Sequence, residues 1–293
     1  MLAASLLFAL MGVCVKFASS QYGAGEIVLY RALVGLVLMT GVLRWRGVTW
    51  RTRVPAMHFW RSATGTTAVC LWFYAIGHLP LATAMTLNYM SSVWIALFLI
   101  GGAVLLAPDK GPSGLDSRLV AAVLVGFAGV AMVLRPTLDQ QQLWQGLAGL
   151  LSGMLAAMAY LQVTALGGVG EPGERVVLYF SLSGVFAGAL LTALSGGPHG
   201  HTLQGAGLLL AIGVLATGAQ WMMTLAYATG ATLGVAALQY LGIAYSFGFG
   251  VWLFDDAITP LSLAGMVLIV GAGVAVTLLR GAAPRSTASP TET

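Results

Sequence analysis

Ten times along its 293 residues the chain runs for a stretch that is almost wholly apolar. A helix needs roughly 20 such residues to cross the hydrocarbon core of a bilayer. The runs fall at approximately 2–18, 26–43, 59–78, 81–106, 118–135, 144–165, 175–194, 203–226, 232–254 and 258–279. Leu119–Leu134 and Leu261–Leu279 are apolar all round, whereas barrel strands alternate apolar and polar over about ten residues. The expectation is an all-α polytopic membrane protein with ten transmembrane helices. Composition agrees, with 58% hydrophobic residues, 8% charged residues and a mean hydropathy of +0.90. An ordinary soluble domain is about 25% charged. A cytosolic enzyme, a secreted disulfide scaffold and a nucleic-acid-binding domain are thereby excluded.

Charges set the expected topology. Arg44–Arg61 carries five arginines, Ala107–Ser117 is a Pro/Gly/Asp/Lys turn, and Gly167–Glu174 is glycine-rich with two acids. With the N-terminus inside, Arg44, Arg46, Arg51, Arg53, Arg61, Lys110, Arg118, Arg175, Arg280 and Arg285 fall on the cytoplasmic side. Lys16, Arg31 and Arg135 fall on the other. That bias follows the positive-inside rule and predicts a multi-pass inner (plasma) membrane protein with both termini cytoplasmic. Residues 281–293 read as a disordered tail. Met1–Ala18 ends on small residues as a signal peptide does, but it lacks a positive n-region and carries Lys16, so it reads as the first span. A hydrophobic run starting at Met1 is also compatible with a true start a few residues upstream.

An internal repeat organises the spans. A shift of 151 residues aligns Leu87-Asn88-Tyr89-Met90 with Leu238-Gln239-Tyr240-Leu241, Ala75 with Ala226, Trp94 with Tyr245 and Phe98 with Phe249. A shift of 144 aligns Gly129-Val130-Ala131 and Leu134 with Gly273-Val274-Ala275 and Leu278, the difference being a longer turn around Asp109–Asp116. Each half, 1–135 and 144–280, would hold five spans. Five is odd, so the second half enters the membrane inverted, an arrangement common in transporters with substrate near mid-membrane.

The same residues resemble a family. Met11-Gly12 leading to Lys16, Glu26 followed by Tyr30-Arg31, and Ala75-Ile76-Gly77-His78-Leu79-Pro80-Leu81-Ala82 leading into Asn88-Tyr89 look like EamA-type transporters. These belong to the drug/metabolite transporter superfamily. The resemblance covers about 1–280 and implies movement of amino acids or other small metabolites without ATP. Two departures stand out: Ser91-Ser92 where the family often has proline, and Leu105-Leu106-Ala107 where it often has an acid. Asp255 and Asp256 sit near the corresponding place in the second half, so ion coupling is not carried over.

Polar residues inside spans must face the bundle interior or a cavity. Thr217, Gln220, Trp221 and Thr224 form one stripe; Asn88, Ser91 and Ser92, with Trp94 adjoining, form another; Gln239, Gly242 and Ser246 form a third. Such residues either glue helices together or line a route. The expected substrate contacts are Asn88, Tyr89, Ser92, Trp94, Tyr160, Gln220, Trp221, Gln239 and Tyr240. Lys16, Glu26 and Arg31, all toward the outer side, are gate or ion-pair candidates: either snorkelling with a structural ion pair, or an outer gate or clamp for a substrate carboxylate. Trp45, Trp50 and Trp60 read as interfacial anchors. Glu171 and Glu174 read as solvated loop acids.

No haem ligand set, His-Glu-x-x-His site, P-loop or nucleophile elbow occurs. His199-Gly200-His201 could clip a metal but reads as a solvated pair, and Cys14 and Cys70 have no motif spacing. No cofactor, metal or catalytic residue is expected. The resulting expectation is a secondary transporter, an exporter by preference, of a small neutral or zwitterionic metabolite such as an amino acid. The alternative is a membrane-embedded enzyme acting on a lipid or prenyl substrate. Partners are a small-molecule substrate and the lipid bilayer, with no nucleic acid and a homodimer left open.

Overall fold

The computed structural model describes residues 1–95, 97–98, 117–134, 143–229, 232–254 and 260–281. Helices account for almost all of them, and there is no strand among the described residues. In chain order they are α1 (Leu2–Ala18), α2 (Ala24–Arg46), α3 (Pro55–His78), α4 (Leu81–Tyr89), α5 (Ser117–Leu134) and α6 (Leu143–Gly168). Then follow α7 (Gly173–Leu194), α8 (Leu203–Ala228), α9 (Thr232–Leu238), α10 (Leu241–Phe254) and α11 (Pro260–Gly281). By length and composition α2, α6, α7, α8 and the 234–254 stretch can each cross a bilayer, and shorter apolar helices accompany them. The chain is therefore a multi-pass membrane protein. Lys110, Arg135, Asp255, Asp256, Arg285, the Asp109–Asp116 turn, Leu105-Leu106-Ala107 and the tail lie outside the described residues.

Local chemistry explains the helix ends. Pro55 occupies the first turn of α3, where its missing N–H costs nothing, so that helix begins four residues before the apolar run does. Gly47 closes α2 with φ 65°, a left-handed conformation that favours glycine. Lys16 donates from Nζ to the Ile76 and Leu79 carbonyls at 3.1 and 2.7 Å, satisfying the end of α3.

Two expected spans are interrupted. α4 stops at Tyr89 and the chain turns at Met90 before helix resumes; α9 and α10 are separated by a turn at Gln239-Tyr240. At the second break, i→i−3 bonds replace the α-helical ones, from Gln239 N to Ala236 O (3.2 Å) and from Gly242 N to Gln239 O (2.8 Å). Ser92 Oγ crosses from the first break to donate to the Ala236 carbonyl at 2.7 Å. A hydropathy window cannot register such a break, because the residues on both sides are equally apolar.

α2 packs on α7, α3 on α6, α1 on α8 and α5 on α11. Glycines make these approaches possible: a Cβ on Gly188 would lie 2.5 Å from Leu29 N, and one on Gly35 would lie 2.7 Å from Ser181 Oγ. The α1–α2 turn, the α3–α4 link and the α7–α8 loop share one end of the bundle, the histidine face. The α2–α3 and α6–α7 loops share the opposite end, the arginine face. Trp45, Trp50 and Trp60 are exposed near the arginine face.

Candidate functional site: a central cavity between two closed faces

Seven helices meet around a cavity in the middle of the bundle. It is lined by Phe8 and Met11 of α1, Arg31 of α2, Arg61, Gly65, Ala68, Val69, Trp72 and Phe73 of α3, and Asn88 of α4. Ala156, Ala159 and Tyr160 of α6, Phe180 of α7 and Gln220 of α8 complete it. The space open to the centre of a water-sized sphere is about 30 Å³, enough for one or two waters and too small for a metabolite. Phe73 also belongs to a second hollow of about 360 Å³ on the histidine face, bounded by residues 19–24, Tyr74, Gly77, His78 and His199. One aromatic ring therefore stands in the lining of both the cavity and this vestibule.

Two arginines dominate the cavity. Arg31 lies seven residues into α2 from the histidine face, and Arg61 six residues into α3 from the arginine face. At 1.5 Å per residue each is about 10 Å in from its helix end. Their guanidinium carbons stand 4.9 and 4.3 Å from the centre of the Phe180 ring, and Arg31 is also 6.0 Å from that of Phe73. Only 7% of Arg31 and 2% of Arg61 is exposed. Gly65, one turn beyond Arg61, gives the guanidinium its space, since a Cβ there would overlap Arg61 Nη1. Arg61 Nε and Nη1, Gln220 Nε2 and Trp72 Nε1 have no hydrogen-bond partner.

Sequence reasoning counted Arg61 among the cytoplasmic loop charges; the structure places it inside the bundle. The Pro55 helix start and the i, i+4 spacing of Arg61 and Gly65 were the available signals. Of the residues singled out beforehand, Arg31, Asn88, Tyr160 and Gln220 come together in the cavity. Asn88 Nδ2 donates to Ser152 Oγ at 3.1 Å, and Tyr160 stacks on Tyr227 with ring centres 4.9 Å apart. Tyr89, Ser92, Gln239 and Tyr240 cluster instead at the two helix breaks. Tyr89 lies in a notch over Gly242, Tyr240 lies over Gly126, and Ser91 Oγ donates to Gln239 Oε1 at 3.4 Å. Trp94 stacks on Phe98, and Trp221 lies under the Arg46 guanidinium, 5.7 Å from it. Lys16, Glu26 and Arg31 take separate partners: carbonyls of α3, His199 and the phenylalanine rings.

Both faces are held by bonds between distant parts of the chain. On the histidine face Glu26, 2% exposed, accepts from His199 N at 2.8 Å and pairs with His199 Nδ1. Tyr30 Oη meets His201 Nε2 at 2.8 Å, and His201 Nδ1 meets Tyr22 Oη at 3.3 Å. The two loop histidines thus serve different partners, and no metal-holding group of three occurs among the described residues. On the arginine face Glu171 accepts from Thr52 Oγ1 (2.8 Å) and Arg175 Nη1 (2.8 Å) and pairs with His58 Nε2 (3.2 Å). Arg46 pairs with Glu174. Neither acid is a solvated loop acid: Glu174 is buried against the end of α2, and the Glu171 side chain is only 7% exposed, held by Thr52 and His58. Burial pushes the Glu171 carboxyl up, but bonds from Thr52, Arg175 and His58 outweigh it and hold it below the usual carboxylate range.

No protein-family model matches the chain. It is 32% identical to the pseudopaline exporter CntI of Pseudomonas aeruginosa over 93% of both chains. It is 30% identical to a riboflavin transporter of Rhizobium johnstonii over 70% of this chain and 64% of that one. A crystal structure of a protein 21% identical superimposes with a TM-score of 0.75 over 96% of both chains, which establishes the likeness of fold alone. These named relatives are transporters rather than enzymes, and the protein belongs to the membrane-transporter family that includes the pseudopaline exporter CntI.

Proposed function

We propose that the protein is an EamA-type secondary transporter of the drug/metabolite transporter superfamily. It exports a small amino-acid-like metabolite across the inner membrane by alternating access, with the arginine face and both termini cytoplasmic. The central cavity carries the reading: polar and aromatic groups from both halves converge there, and bonded faces close it at either end. The relatives are named as a pseudopaline exporter and a riboflavin transporter, which supports the transporter reading; the cavity as it stands is closed and would have to widen to admit a solute.

The proposed ten spans form two inverted repeats, and paired contacts support this. Leu29-Tyr30-Arg31-Ala32-Leu33-Val34-Gly35 aligns with Leu178-Tyr179-Phe180-Ser181-Leu182-Ser183-Gly184. Gly35 faces Ser181 while Gly184 faces Ala32. Tyr30 Oη bonds the α7–α8 loop at His201, and Tyr179 Oη donates to the α2–α3 loop at the Trp50 carbonyl (3.1 Å). The breaks at Met90 and Gln239-Tyr240 fall within the stretch aligned by the 151-residue shift. Exchanging the halves turns the α3–α6 packing into the α8–α1 packing. Inverted halves of this sort allow the route to open to one side while the other stays shut.

The test is flux through purified protein in liposomes loaded with a bacterial metabolite extract, the exterior being followed by mass spectrometry. Protein-dependent loss of a defined amino-acid-like solute without ATP is expected. Absence of protein-dependent flux in either direction would overturn the proposal.

A further inference from the structure

We infer that the solute bound in the central cavity is an organic carboxylate with net negative charge, clamped by Arg31 and Arg61 together; its passage across the membrane rests on the transporter reading above. Two guanidinium groups share one phenylalanine ring deep in the bundle. Cations in such a setting are costly unless paired, and no acid pairs with either among the described residues. The described acids are engaged elsewhere: Glu26 with His199, Glu171 with Arg175 and His58, and Glu174 with Arg46.

The unpaired polar atoms of the lining are all donors, from Arg61, Gln220 and Trp72. Buried donors left without partners call for an acceptor-rich ligand. A carboxylate supplies two oxygens that suit the planar guanidinium fork. The notch at Gly65 that seats the Arg61 head shows that the backbone accommodates this placement. Phe8, Phe73 and Phe180 supply an apolar wall that inorganic phosphate would leave unused. One arginine enters from each face, so the carboxylate keeps a cationic partner whichever side opens.

The experiment uses purified full-length protein in detergent. Binding and melting temperature are measured with phthalate, succinate, glutamate and acetate, against phthalamide and inorganic phosphate at constant ionic strength. Carboxylates should bind and raise the melting temperature, and phthalamide should not. Arg31→Gln and Arg61→Gln should each weaken binding about tenfold or more, the weight of one charged hydrogen bond. Gly65→Ala keeps both charges but displaces the Arg61 head, and should weaken carboxylate binding in the folded protein. Should the glutamine variants fail to fold, Gly65→Ala decides. Equal binding of phthalamide, response to phosphate alone, no response to any carboxylate, or full binding by Gly65→Ala would each overturn the inference. Flux of a neutral solute in liposomes without carboxylate binding would refute the clamp and leave the transporter reading intact; binding without flux would do the reverse.

Discussion

Glu171→Gln probes how the arginine face is kept shut. The carboxylate receives bonds from Thr52 and Arg175 and pairs with His58, with only 7% of its side chain exposed. Glutamine keeps an acceptor but gives up the charge that strengthens the bonds from Thr52 and His58, the two that reach Glu171 across the face, while the Arg175 pair lies within a single segment. A hydrogen bond to a charged group contributes about 1.5–3 kcal/mol, so the closed face should lose about 2 kcal/mol, roughly a thirtyfold change in the closed-to-open ratio. The assay is labelling of Ala159→Cys in the cavity, in a background with Cys14 and Cys70 replaced by serine, by impermeant maleimides applied to either face. Labelling from the arginine face should accelerate about thirtyfold, and from the histidine face it should not. Equal rates with and without the Glu171→Gln substitution would refute the argument that this carboxylate closes the face.

Because the folded-state pKa of Glu171 lies below its unfolded value of about 4.3, its stabilisation is complete above that pH and lost as pH falls through the folded pKa. The wild-type melting temperature should therefore fall more steeply below about pH 4 than that of Glu171→Gln; parallel curves would contradict this. Gly188→Ala places a Cβ against the Leu29 backbone, which cannot yield as a side chain can. Overpacking of about 1–3 kcal/mol exceeds the helix-propensity gain of about 1 kcal/mol, so melting should occur at lower temperature. Gly41→Ala meets open space and should melt no lower than wild type.

The sequence made the helices legible because lipid imposes a length and a hydrophobicity on each span, and both are local quantities. It also made the stripe at Gln220 legible, since an amide in an apolar helix has to face inward. Arg61 was misplaced for the opposite reason. It stands at the very edge of the 59–78 run, beside the arginine-rich loop, so it counts with the loop charges, and only the packed bundle reveals that Phe180 from α7 covers it. The burial of Glu171 was equally hidden. Its partners Thr52 and His58 stand more than a hundred positions earlier in the chain, and no local pattern announces a contact of that range. Tyr89 and Tyr240 drew attention as repeat partners, yet their rings are seated in the notches at Gly242 and Gly126.

Phe73 stands between the vestibule and the cavity. A loop is fastened by polar bonds on each face, through Glu26 and Tyr30 on one and through Glu171 on the other. A fastened loop must part from its partners and move as a segment, which belongs to the microsecond-to-millisecond range, whereas a ring turns aside by side-chain rotation. The histidine face thus has two motions available to it. Rotation of Phe73 alone would join vestibule to cavity while every bond of both loops stays in place, so water could exchange between the two hollows far faster than either loop can part.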